Sequence, residues 1–284
     1  MMIKKIMIAF VFISVAFHVN TITAQETKID GKLFIIGGGS RSSAMVDRII
    51  KESGIDKSDY GIILPMSSIE PDSSVYYASK QFYDKGIKNI YGLHFVKDEV
   101  ITASKLDSIK NAKLIYISGG DQNRFMDIID GTAIEAAIHG AFDKGSLVAG
   151  TSAGAAVMSK LMITGNELKH PEYSSTFKNI QLDNIEIKPG LGMLPNVIID
   201  QHFVRRSRYN RLISAVIEHP EMTGIGIDES TAILVNGKSI EVVGASQVLV
   251  LQNPEHSKTI HKDKLRAHNL TLNIYLPGET FSIQ

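Results

Sequence analysis

From residue 32 onward, short aliphatic runs alternate with amphipathic stretches: "KLFIIGGG", "SAMVDRIIKES", "YGIILPMSS", "VYYASKQFYDKG", "NIYGLHFV", "KLIYISGG", "AIEAAIHGAFDKG" and "LVAG". The aliphatic runs are short and apolar throughout, the signature of strands covered on both faces, and the stretches between them carry apolar residues at helical spacing. Strands alternating with helices require crossover connections, so the predicted class is α/β with a mostly parallel sheet. In such sheets ligands bind beyond the carboxyl ends of the strands. Three of these ends carry informative loops, at 37–39, 119–122 and 150–154. Toward the C-terminus, "GIGIDES", "TAILVNG", "SIEVVG" and "SQVLVLQ" have the spacing of hairpin strands and are expected to extend the same sheet in antiparallel fashion. The polar segment 163–190 lacks periodicity and is expected to pass over the active face. No linker rich in Pro, Gly or Ser divides 25–284, which is expected to form one domain.

The first 24 residues differ in kind. Lys4 and Lys5 precede the uncharged run "IMIAFVFISVAF" and a polar stretch ending "TITA". The apolar core falls well short of the roughly 20 residues that span a bilayer, so 1–24 is expected to be a secretory signal cleaved after Ala24, giving an exported protein of the periplasm or medium. The chain has no cysteine. That excludes disulfides, a thiolate nucleophile, a cysteine metal site and a lipid-bearing thiol at the cleavage point, and implies a product free of the membrane. Thirty basic residues balance thirty acidic ones, which gives no general attraction to nucleic acid or to an anionic surface.

Gly150-Thr151-Ser152-Ala153-Gly154 follows an apolar strand and precedes a helix, the context of a nucleophile elbow. The flanking glycines allow a tight turn, and the Ala153 amide points where an oxyanion would form. "GGDQ" at 119–122 reads in two ways: a second source of oxyanion amides with Gln122 reaching substrate, or a turn in which Asp121 caps the next helix. "IIGGGS" lacks both the lysine of a P-loop and a spaced glycine fingerprint, and is read as a tight turn. A serine nucleophile needs a base. His202 in "VIIDQHF" stands at the end of an apolar strand, and an acid to orient it is available at Glu229 or Asp228 in "GIGIDES". Neighbouring strand residues face opposite ways, so one of the two acids is expected in the site, and spacing does not say which.

"GTSAGAAVMS", "GGDQ", "PGLGMLPNVIIDQHFVRRSRYNRL" and "GIGIDESTAILV", in this order, resemble the cyanophycinase family of serine peptidases, with peptidase E (aspartyl dipeptidase) as a more distant relative. The resemblance runs from about Lys32 to the C-terminus. It implies a three-layer, flavodoxin-like fold similar to class I glutamine amidotransferases. It also implies Ser152 as nucleophile, His202 as base, Glu229 as acid, and amides near Gly120 and Ala153 as the oxyanion hole. Gln122, Asp200, Gln201, Arg206, Arg208 and Arg211 match positions lining the family's substrate pocket, and guanidinium groups suit carboxylate recognition. The bland alternative for the arginines is a solvated helix face; Arg206 and Arg208 do not share one face. The implied reaction is hydrolysis of the aspartate backbone of cyanophycin to β-Asp-Arg dipeptides through an acyl-enzyme, with no metal or organic cofactor, by a homodimer acting on a polypeptide. The alternatives are an exported aspartyl or isoaspartyl dipeptidase and a non-catalytic binder of acidic peptides. An α/β-hydrolase esterase would instead draw its histidine from His256, His261 or His268.

Overall fold

The computed structural model describes residues 31–283; the expected signal, 1–24, and the expected start of the mature chain lie outside the described residues. In chain order the elements are β1 (Lys32–Ile36), α1 (Ser43–Ser53), β2 (Gly61–Leu64), α2 (Pro71–Tyr83), β3 (Ile90–Gly92), α3 (Ala103–Lys110), β4 (Leu114–Ile117), α4 (Gln122–Ile129), α5 (Ala133–Asp143), β5 (Leu147–Thr151) and α6 (Ala153–Ala156). There follow β6 (Leu161–Glu167), β7 (Ile185–Pro189), β8 (Val197–Gln201), α7 (Tyr209–Glu218), β9 (Thr223–Ile227), β10 (Thr231–Asn236), β11 (Ser239–Gly244), β12 (Val248–Gln252), β13 (Thr259–His261), β14 (Lys264–Arg266), β15 (Thr271–Tyr275) and β16 (Thr280–Ser282).

The predicted α/β class and its large sheet are present. Eight strands run in the order β16-β11-β10-β1-β5-β4-β2-β3, and neighbours from β1 to β3 pair in parallel. Alternation along each strand splits its side chains between two cores. Phe34 and Ile36 pack with Met45, Ile49 and Phe82 of α1 and α2. Leu33 and Ile35 face the other way, toward Ile109, Phe125, Ile129 and Ile138 of α3, α4 and α5. Burying both faces is what makes these strands read as unbroken apolar runs. Asp121 caps α4 by accepting a hydrogen bond from the Asn123 N–H at 2.8 Å.

The C-terminal strands depart from expectation. β10, β11 and β16 do extend the large sheet in antiparallel fashion, but β9, β12 and β15 join β8 in a separate sheet of order β15-β12-β9-β8, in which β8 and β9 are parallel. The chain changes sheets twice at one place. Ser230, at φ +55°, turns the exit of β9 into β10, and Gly244, at φ +125°, ends β11 before β12. A Cβ on Gly244 would lie 2.4 Å from Ser230 O, so the two crossings pack backbone to backbone. Alternating strand sequences look the same whichever sheet receives them, which is why the sequence pattern did not distinguish one sheet from two. One face of the second sheet adds Val197, Ile199, Ile225 and Val250 to the core under α5. Its other face packs Ile198, Leu249 and Leu251 against Leu212, Ala215 and Val216 of α7.

The segment 163–190 is built around an antiparallel ribbon, β6–β7, whose intervening loop is tied to the beginning of α7. Thr176 Oγ1 donates to Arg206 O at 2.7 Å and Asn210 Nδ2 to Phe177 O at 2.8 Å. Among the described residues no helix is long and apolar enough to cross a membrane.

The elbow after β5 depends on two glycines. A Cβ at Gly150 would lie 2.2 Å from Gly154 O, and one at Gly154 would lie 2.3 Å from Ile117 O. Gly154→Ala must therefore push α6 off β4. The expected cost is about 1–3 kcal/mol of stability, as for other overpacked cores, read as a lower urea midpoint at unchanged slope.

Candidate active site

Three chain segments meet at the carboxyl ends of β5, β8 and β9. Ser152 occupies the turn between β5 and α6 at φ +55°, ψ −111°, a conformation that a residue with a Cβ adopts only where surroundings enforce it. Its amide donates to Ile36 O at 3.0 Å. His202 follows β8 directly, also at positive φ (+49°), with its amide held by Gly37 O at 2.7 Å. Glu229 lies just beyond β9, where the Ser230 amide donates to Gly38 O at 2.8 Å.

These placements line up three side chains. Ser152 Oγ lies 2.9 Å from His202 Nε2, and His202 Nδ1 lies 2.6 Å from Glu229 Oε1. A carboxylate can only accept, so Nδ1 carries the proton toward Glu229 and Nε2 is left to accept the seryl O–H. Burial holds the His202 pKa below its ordinary 6.5; the hydrogen bond to Glu229 opposes this, and the charges of Arg206 and Arg208 add to it. The imidazole is thus neutral near pH 7 and free to take a proton.

The choice between the two acids follows strand alternation. Asp228 points the other way, where its carboxylate accepts from the Arg205 amide at 2.9 Å and from Ser246 Oγ at 2.7 Å. It fixes the loop that follows His202. His256, His261 and His268 are exposed, and none contacts Ser152, so the esterase arrangement does not form.

The triglycine loop is more than a turn. A Cβ at Gly38 would lie 2.3 Å from His202 Cε1, and one at Gly39 would lie 2.8 Å from Glu229 Cβ. The imidazole and the acid therefore lie against bare backbone. Three consecutive glycines exceed what a simple turn requires, and that excess was the available signal.

The "GGDQ" loop caps α4 through Asp121 and also runs beside the nucleophile. Gly120, at φ +141°, packs on Ser67 O, which also accepts the Asp121 N–H at 2.8 Å. A Cβ at Gly119 would lie 3.4 Å from Ser152 Cβ, so this backbone runs directly beside the nucleophile. The Ala153 N–H, at the first position of α6, has no carbonyl of its own helix to bind.

Ser152 opens on a cavity of about 280 Å³ lined by Gly120, Gln122, Gln201, Arg206, Arg208 and Arg211, and on its far side by Thr164, Gly165, Asn166 and Tyr173 of the ribbon segment. Two of the residues expected to bind substrate also have structural partners. Asp200 is buried, and its carboxylate receives Arg211 Nε at 2.6 Å, Arg211 Nη2, and the Gln201 amide at 2.8 Å. It has no free face toward the cavity and serves to aim Arg211. Gln122 lines the cavity, but its amide group donates to Ile163 O at 3.0 Å and Thr164 O at 2.6 Å, clamping the ribbon. Arg208, also buried, donates through Nη1 to the backbone and side-chain oxygens of Gln201, both at 2.7 Å. Among the described residues its Nε has no partner. Burial and the charge of Arg211 bring the Arg208 pKa down to about 10, against the pull of Asp200. Arg206 and Arg208 precede α7 and only Arg211 lies on it, so the solvated-face reading does not apply. The segment 163–190 was expected over the active face, but which of its residues reach the cavity could not be read, because Thr164, Asn166 and Tyr173 belong to no motif.

Set beside known proteins, the chain matches the model of peptidase family S51 over residues 33–243. It is similar to a cyanophycinase of Nostoc sp., 32% identical over 272 residues that cover 92% of this chain and 88% of that one. To a peptidase E of the same organism it is 23% identical over 181 residues, covering 63% and 72%. Among solved structures, a peptidase from an acI-B1 Actinobacterium superposes with a TM-score of 0.64 at 22% identity, covering 89% of this chain and 97% of that one, which shows a common fold. The chain belongs to peptidase family S51 and is a serine-type peptidase.

Proposed function

We propose that this protein is an exported peptidase that hydrolyses the aspartate backbone of cyanophycin to β-Asp-Arg dipeptides. The observation that carries this reading is the Ser152–His202–Glu229 line opening on a cavity lined by three guanidinium groups and one carboxylate, Asp121, with the buried Asp200 behind Arg211. Such a cavity has excess positive charge and suits an anionic unit. In cyanophycin each backbone aspartate carries an arginine joined through its α-amine, so every unit presents a free α-carboxylate. Arg206, Arg208 and Arg211 would hold that carboxylate while Ser152 Oγ attacks the backbone carbonyl.

His202 Nε2 takes the seryl proton as the C–O bond forms, and the N–H groups of Gly120 and Ala153 receive the oxyanion. His202 then returns the proton to the leaving amine as the C–N bond breaks. Water attacks the acyl-enzyme by the reverse proton path and frees Ser152. Glu229 holds the ring in the required tautomer and stabilises the imidazolium that forms. These steps need neither metal nor organic cofactor.

The finer fold reading belongs here as well. The parallel core runs β3-β2-β4-β5-β1, which is the flavodoxin order 2-1-3-4-5 with the chain's first strand taking the fifth place. The order supports a flavodoxin-like layer arrangement within one peptidase domain. Export rests on residues 1–24 alone, and an exported enzyme of this kind would scavenge polymer from outside the cell. A second reading, an aspartyl or isoaspartyl dipeptidase, is favoured by one observation: the ribbon walls a cavity of only about 280 Å³, a size suited to a short peptide.

The purified protein incubated with cyanophycin is expected to release β-Asp-Arg, detected by mass spectrometry, and Ser152→Ala is expected to lower the rate by about 10⁴–10⁶-fold. Cleavage of short aspartyl peptides with no action on the polymer would transfer the assignment to the dipeptidase.

The pH profile follows from His202. The base must be neutral to work, so kcat/KM falls as pH drops through its pKa, and the acid limb is expected below the ordinary imidazole value of 6.5. Arg206 helps depress that pKa, so Arg206→Gln should move the acid limb to higher pH. An unmoved limb in steady-state profiles of a short substrate would show that Arg206 does not set the pKa of the base.

A further inference from the structure

The carboxyl edge of the large sheet holds a second cavity, larger than the one at Ser152. It measures about 600 Å³ and lies beyond the ends of β2 and β3, with α4 as its far wall. In the sheet order β5-β4-β2-β3 the exit of β4 falls between the two cavities, and Asp121 and Asn123 from that exit line both. The first turns of α4 divide them. Gln122 faces the catalytic cavity, whereas Arg124, Asp127 and Ile128, at helical spacing on another face, line the second.

The lining of the second cavity has two parts. Met66, Phe95 and Ile128 make an apolar floor, and Ile69 and Val96 beside it are 75% and 56% exposed. Lys97, Arg124 and Asp127 stand around the floor, all exposed, and among the described residues none of the three is in an ion pair. Glu99, on the loop that bears Lys97, is taken by Lys105 instead. The rim therefore offers unpaired charge of both signs. Lys97, Arg124 and Asp127 also lie outside every block that carries the family resemblance.

Taking cyanophycin as the substrate, we propose that this cavity is a second subsite, which holds the polymer unit adjoining the one held at Ser152. Each unit is an aliphatic stem bearing one guanidinium and one α-carboxylate. The stem matches the apolar floor, Asp127 the guanidinium, and Lys97 and Arg124 the carboxylate. In an extended backbone successive side chains point opposite ways. A polyaspartate chain lying over Gly120 thus places one arm among Arg206, Arg208 and Arg211 and the next across the β4 exit. A purely acidic or purely basic ligand would pair with half of the rim and oppose the other half, and an apolar one would strip water from the rim charges without pairing them. Two linked units bind as one ligand, so the second cavity favours the polymer over a single dipeptide unit.

Calorimetric binding to the Ser152→Ala protein separates this subsite from turnover. The ligands are a single β-Asp-Arg and a synthetic oligomer of four cyanophycin units. The oligomer is expected to bind more than about tenfold more tightly than the single unit, beyond the roughly fourfold that four equivalent units give by number alone. Asp127→Lys, and separately Lys97→Glu combined with Arg124→Glu, are expected to remove most of that advantage while leaving single-unit affinity within about twofold. The three positions are exposed, and unchanged single-unit binding also reports an intact fold. An oligomer that gains nothing over the single unit, a gain that survives both variants, or an equal loss for both ligands overturns the second subsite and leaves the substrate assignment standing. If neither ligand binds the Ser152→Ala protein, the substrate assignment fails and the subsite falls with it.

Discussion

Three successive carbonyls carry this active site. Ile36 O, Gly37 O and Gly38 O, at the exit of β1, accept the amides of Ser152, His202 and Ser230 in that order. The nucleophile, the base and the residue after the acid are thereby tied to one short stretch of backbone. Each bond is ordinary in strength, but together they fix the relative positions of chain segments drawn from two different sheets. The glycines matter because this stretch must also lie flat against the imidazole and the acid. Any Cβ at Gly38 would occupy the volume of the His202 ring.

The same constraint accounts for the backbone strain. Ser152, His202 and Ser230 all take positive φ, a region that costs of order 1–3 kcal/mol for residues with a Cβ. In each case the amide is bonded to the β1 exit, so the conformation is enforced where the side chain, or that of the preceding Glu229, must reach inward. Strain and anchoring coincide at the three points where strand geometry alone would send the chain elsewhere. Fixed positions also limit the reorganisation needed when charge moves from serine to imidazole, which is the usual source of a serine peptidase's rate.

Much of this was legible in the sequence. Apolar runs alternating with helical stretches gave the α/β class, the glycine-flanked Ser152 gave the elbow, and two strand ends bearing His202 and Glu229 gave the partners. Strand alternation reduced the acids to one of two, and the fold assigned the other, Asp228, to the loop after His202. What could not be read depends on tertiary placement. Whether β9 and β12 pair with β10 or with β8 is decided at Ser230 and Gly244, where the local pattern on either side is the same. Asp200 and Gln122 have the chemistry of substrate ligands, yet the Asp200 carboxylate is taken up by Arg211 and the Gln122 Nε2 by the β6–β7 ribbon. A side chain's type indicates what it can bind, and only its neighbours determine whether that capacity remains free.

The arginine cluster shows the same accounting from the other side. Asp200 engages Arg211 through two of its nitrogens, which fixes the plane of the guanidinium and leaves the remaining edge to the cavity. Arg208 is oriented by hydrogen bonds to Gln201, and its only carboxylate neighbour among the described residues, Asp200 at 3.7 Å, is shared with Arg211, so its charge is only partly neutralised. With a pKa near 10 it stays protonated at neutral pH, although burial disfavours the charge. Two buried cations around one buried anion form an unbalanced set, and a bound carboxylate would restore the balance. Selectivity for an anionic unit thus follows from an electrostatic deficit that is present before substrate arrives. Because Arg206 and Arg208 also hold down the His202 pKa, an arriving carboxylate would offset that effect and raise the basicity of the imidazole. The charges that select the substrate and the group that begins the chemistry are coupled through a few ångströms of low-dielectric space.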